Sequence, residues 1–78
     1  MRTQAPPKLE TVEGLLDEVD EWYGRLQRIR QKMRRHKRGG EAYLELLADA
    51  SVELDVLKRK AEYAAELLEA FEESLPED

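Results

Sequence analysis

The chain of 78 residues has no cysteine, which removes disulfides, thiolate catalysis and cysteine-based zinc sites together. Histidine occurs once, at His36. With no His-x-x-x-His or Glu-x-x-His spacing around it, no metal or other cofactor is expected, and His36 reads as a packed or capping residue. Serine is confined to Ser51 and Ser74, so a Ser-His-Asp site would need His36 to reach a distant part of the chain. No run of consecutive apolar residues exceeds three, as at Ala42-Tyr43-Leu44. Neither a membrane-crossing helix nor a signal-peptide core is therefore expected, and the composition fits a cytoplasmic protein without a membrane partner. Sustained period-two alternation is also missing, which excludes strands.

What remains is a helical pattern. Charged residues make up 40% of the chain and apolar residues 41%, the balance of a coiled coil rather than of a disordered tail. Residues 1–7, with Ala5-Pro6-Pro7, read as a poorly ordered lead-in. Val12, Leu15, Val19, Trp22, Leu26, Ile29 and Met33 then alternate spacings of three and four, with His36 next in the series. This first helix is expected over roughly Lys8–Arg38, starting near Pro7 or at Thr11 as N-cap. Gly39-Gly40 lacks the surroundings of a phosphate loop and reads as the turn.

The second helix is expected over Glu41–Leu75, with Pro76 ending it and 76–78 as an acidic tail. Its seam is read as Tyr43, Leu47, Ala50, Leu54, Leu57, Ala61, Ala64, Leu68, Phe71 and Leu75, again at alternating spacings of four and three. The fold class is thus all-α, an antiparallel, coiled-coil-like two-helix hairpin over 8–75. Each rod is expected to reach about 45–50 Å, at 1.5 Å per residue.

Two rods meeting along one seam bury little for a chain this small. Leu16 and Tyr23 widen the stripe of the first helix. On the second, Val52, Val56, Tyr63, Leu67 and Ala70 form an apolar stripe on the side away from Leu54, read here as an oligomer interface. Self-association into a four-helix bundle, the arrangement of ROP-like two-helix proteins, is the expected solution.

The net charge of −5 hides a segregation. Six acids and no base lie between Glu10 and Glu21, and eight bases and no acid lie between Arg25 and Arg38. Both placements complement the helix dipole. Glu41, Glu45, Asp49, Glu53 and Asp55 are expected to neutralise much of the basic stretch across the closed hairpin. The far end, with Glu62, Glu66, Glu69, Glu72, Glu73, Glu77 and Asp78, has no such compensation, and an antiparallel dimer would set it beside a partner's basic end.

Three functional classes follow. The leading expectation is non-catalytic protein–protein contact, with self-association, a protein partner and a regulatory or adaptor role. A second is RNA or DNA binding by the basic 28–38 segment, with Arg34, Arg35, Lys37 and Arg38 as its surface. It is disfavoured by the net charge and by the lack of stacking aromatics there. The third is catalytic. Ser51-Val52-Glu53-Leu54-Asp55 resembles the Ser-x-Glu-Leu-Asp motif of the sporulation stage-zero-E-like aspartyl-phosphate phosphatases, short helical hairpins with the motif on the second helix. Arg30-Gln31-Lys32-Met33 is similar to the end of that family's first helix. The resemblance implies hydrolysis of a response regulator's phospho-aspartate, with Ser51, Glu53, Leu54 and Asp55 as functional positions. Trp22-Tyr23-Gly24 resembles the Trp-x-Gly motif of small secreted helical hairpins, but there the motif forms the turn.

Overall fold

A computed structural model describes residues 7–76 as an antiparallel hairpin of α1 (Leu9–Met33) and α2 (Glu41–Ser74). Residues 1–6 of the expected lead-in 1–7, and residues 77 and 78 of the expected tail, lie outside the described residues. The molecule is a rod of 56 × 26 × 17 Å. Trp22-Tyr23-Gly24 sits in the middle of α1, so it is not the turn.

α1 begins at Leu9, with Lys8 as N-cap and no capping side chain. The Lys8 carbonyl accepts from the amides of Thr11 and Val12, and Thr11 is inside the helix. The helix stops at Met33, five residues short of the expected Arg38. The amides of Arg35 and His36 turn back to the carbonyls of Lys32 and Met33, the tighter three-residue closure that ends many helices. A two-glycine turn is too short here, because neighbouring helix axes stand about 8–10 Å apart and the chain must cross that gap. Residues 34–40 make the crossing, and His36 is exposed within it rather than on the seam. Gly39 adopts φ +79°, a left-handed conformation that suits glycine. The Gly40 carbonyl accepts from the Leu44 amide, and Glu41 occupies the positive end of α2.

On α1 the seam is the expected one. Val12 and Met33 are buried, and Leu15, Val19, Trp22, Leu26 and Ile29 are half-buried. In heptad letters Val12, Val19, Leu26 and Met33 are a positions, and Leu15, Trp22 and Ile29 are d positions.

On α2 the seam is rotated from the expected one. The shared a positions, Tyr43, Ala50, Leu57, Ala64 and Phe71, do face α1. Their companions are the d positions Leu46, Glu53, Lys60 and Leu67, all half-buried. Leu47, Leu54, Ala61 and Leu68, read as core from the sequence, are the e positions and are exposed; Leu47 keeps 48% of its surface in solvent and Leu54 50%. Leu75, read as the last of that series, lies past the end of α2 with extended backbone. Leu67 therefore belongs to the seam and not to the back of the helix. The rotation is possible because a with d and a with e obey the same alternation of three and four. One neighbouring helix covers only one of these pairs.

The glycines within α1 do not serve close helix packing. A Cβ at Gly14 would meet nothing within 4 Å. Gly14→Ala is expected to stabilise the hairpin by about 0.4–1 kcal/mol. Gly39→Ala should cost roughly 1–2 kcal/mol through its left-handed φ. Urea denaturation of both variants checks the pair of signs.

Candidate functional site

The two edges of the seam differ in chemistry. On one edge Lys60 Nζ donates to Glu18 Oε1 at 2.7 Å, joining α2 to α1. The same ammonium stands 5.5 Å from the ring centre of Trp22, and Arg25 lies over that ring at 4.2 Å. Lys60 thus lays its aliphatic stem across the seam while its charge reaches a carboxylate and a π face. Glu18 is half exposed, so the ion pair contributes about 0.2–1 kcal/mol at most. Its larger effect is on register, since it links two fixed heptad positions.

Glu53 stands seven residues before Lys60 and Arg25 seven after Glu18. The two are therefore related across the seam as Lys60 is to Glu18, with the signs reversed. Arg25 is drawn instead to Trp22, and Glu53 Oε2 is shut off from solvent with no hydrogen-bond partner among the described residues.

On the opposite edge the helices leave an open apolar groove of about 270 Å³, lined by Leu16, Val19, Ala61, Ala64, Ala65 and Leu68. Leu16, Ala61 and Leu68 are e positions, so the e stripes of α1 and α2 border the same edge. Seven-residue spacing brings Leu9 and Tyr23 onto this edge of α1, and Leu47 and Leu54 onto that of α2, all about half exposed or more. Arg30, the next residue of the α1 series, ends the apolar run on that helix. The result is an apolar strip along most of the rod. Exposed leucines are ordinary one at a time, and what sets these apart is their alignment along one edge.

The sequence-derived interface residues sit elsewhere. Val56, Tyr63 and Ala70 follow the d residues by three and border the charged edge. Tyr63 and Ala70 are exposed, and Val56 is half-buried. Val52 is 65% exposed and points away from both edges. These residues form no strip with α1.

Ser51, Leu54 and Asp55 are exposed on α2, and Glu53 is turned into the seam. Asp55 is held by Arg59 in an ion pair one turn along the helix. The Ser-x-Glu-Leu-Asp residues are thus divided between the seam, the apolar strip and the charged surface. At the tip, every base from Arg28 to Arg38, including Arg34, Arg35, Lys37 and Arg38, is exposed. Among the described residues the salt bridges are Arg59–Asp55 and Lys60–Glu18. The expected neutralisation of this stretch by Glu41, Glu45, Asp49, Glu53 and Asp55 therefore does not take the form of ion pairs.

No group of three or more His, Asp or Glu side chains that could hold a metal ion occurs among the described residues. No helix of the described residues is long and apolar enough to cross a membrane. No family model, curated protein or solved structure matches the chain.

The unpartnered Glu53 carboxylate offers a direct check on this geometry. Glu53→Leu is expected to stabilise the fold by about 1 kcal/mol, since it replaces an unsatisfied seam oxygen with packing. Thermal unfolding followed by circular dichroism reads the shift. A loss of stability would mean that Arg25 engages Glu53 in solution.

Proposed function

We propose that the protein is a non-catalytic interaction module that self-associates through its apolar strip, two hairpins forming a four-helix bundle. The observation that carries this reading is the strip of Leu9, Leu16, Tyr23, Leu47, Leu54 and Leu68 along the open groove. α1 is apolar at a and d and at e as far as Tyr23, and α2 is apolar at a and e, so each helix carries more apolar surface than the seam of an isolated pair covers. A second copy is the occupant whose strip matches in length and composition, because it is the same strip. Each exposed leucine buried would add on the order of 1 kcal/mol, at about 25 cal/mol per Å². A thin two-helix core needs such a contribution.

This reading moves the interface from Val52, Val56, Tyr63 and Ala70 to the e positions. Light scattering behind a sizing column, at tens of micromolar, should give about twice the chain mass of 9.1 kDa. Leu54→Glu combined with Leu68→Glu should return the monomer, while Val52→Glu should leave the dimer intact. A single-chain mass for the unaltered protein, with helical circular dichroism, would overturn the reading.

A second reading rests on the tip, where seven bases between Arg28 and Arg38 are exposed and unpaired among the described residues. Such a cluster suits a phosphate backbone, with affinity that falls steeply as salt rises. Filter binding of single-stranded RNA that weakens with salt, and is lost when Arg34 and Arg35 become Glu, would favour it. The aspartyl-phosphatase reading is supported by the resemblance of the Ser51–Asp55 motif, with Ser51 and Asp55 open to a partner protein.

A further inference from the structure

We propose that the two hairpins stack head to tail, so that α1 lies over the partner's α1, α2 lies over the partner's α2, and each basic tip meets the partner's acidic open end. The inference rests on self-association through the apolar strip and specifies its geometry.

Two strips can be stacked face to face about a two-fold axis in only two ways. With the axis along the rod, the tips lie side by side and α1 covers the partner's α2. With the axis across the rod, the tips lie at opposite ends and each helix covers its own counterpart, running antiparallel to it. Both bury the same leucines, so apolar area does not choose between them. Charge does.

The rod is strongly polarised. Around the tip, Arg28, Arg30, Lys32, Arg34, Arg35, Lys37 and Arg38 outnumber Glu41, Glu45 and Asp49. At the open end Glu10, Glu13, Asp17, Glu62, Glu66, Glu69, Glu72 and Glu73 have Lys8 as a nearby base. Stacking along the rod would set base against base and acid against acid at both ends. It would also bring Asp20 near the partner's Lys58, one favourable pair against two unfavourable clusters. Stacking across the rod sets each cluster against its opposite.

The rim beside the strip has the same polarity. On α1 the positions one step outside the e stripe are Glu13, Asp20, Gln27 and Arg34, seven apart and changing sign along the helix. A two-fold near Tyr23 sets Glu13 by the partner's Arg34 and Asp20 by the partner's Gln27. An isologous contact needs this self-complementary order. On α2 the same axis, read through the hairpin register of Glu18 with Lys60, falls at Leu54 and sets Leu54 over its own counterpart and Leu47 over the partner's Ala61. Lys58 then lies by the partner's Ser51 at the solvent-exposed rim, so no like charge opposes it there. On α1 the axis sets Tyr23 over its own counterpart and Leu16 by the partner's Arg30, whose aliphatic stem can lie along the strip while its charge reaches the rim.

The absence of cysteine makes the test clean. A nitroxide on Lys37→Cys, in the exposed crossing between the helices, reports the distance between the two tips by pulsed dipolar spectroscopy. Head-to-tail stacking is expected to give about 40 Å, from the 1.5 Å rise and the positions of the two tips either side of the axis. Mixing that protein with one labelled on Glu69→Cys should add a much shorter distance. A dominant tip-to-tip distance under about 25 Å, with a dimer mass by light scattering, overturns the orientation while self-association stands. A single-chain mass with no dipolar signal overturns both.

Discussion

A helix with three adjacent apolar stripes cannot satisfy them all against one neighbour, and the architecture of this molecule follows from that limit. α1 and α2 cover each other's a and d positions and leave the e positions outside. The residue types make this arrangement informative. The covered d stripe of α2 contains Glu53 and Lys60, while the uncovered e stripe contains Leu47, Leu54 and Leu68. A hairpin that served only its own stability would be better with those sets exchanged. The polar pair in the seam links register instead, through Lys60, Glu18 and the face of Trp22. The leucines outside line one exposed edge of the rod.

Much of the fold was legible in the residue spacing. Uninterrupted threes and fours, broken once by paired glycines, specify two helices and an antiparallel return, and the a and d residues of α1 occupy the seam as read. The choice of companion stripe on α2 was not legible. Leu46 and Leu47 are equally good partners for Tyr43 and Ala50 by spacing alone, and hydrophobicity favours the stripe of Leu47, Leu54 and Leu68. What decides is the geometry across the hairpin, where Lys60 reaches Glu18 and Trp22 from the d position. That long-range relation leaves no mark on local periodicity. The same rotation brings Leu67 into the seam. The extent of the connection escaped the sequence too. Arg34–Arg38 continues a good helical composition, but the chain needs those residues to cross between axes.

The charge pattern acts at a longer range than any pair contact. Acids at the start of α1 and along the end of α2, with bases around the crossing, give the rod a positive tip and a negative open end. Within one hairpin this segregation favours both helix dipoles at α1 and opposes the dipole at the end of α2, where no base occurs in the last turn. That unfavourable end is relieved when another positive surface lies beside it. The apolar strip and the charge polarity thus point to the same kind of occupant, one through shape and composition and the other through orientation.

The concentration dependence of thermal unfolding tests the central claim most directly, because it reads coupling between folding and association without any substitution. If the e stripes are buried between copies, the unfolding midpoint rises by several degrees as protein concentration is raised about a hundredfold, as mass action requires for a folded dimer in equilibrium with unfolded chains. A midpoint that stays constant over that range, with a single cooperative transition, would show a hairpin that is stable alone and would contradict the account.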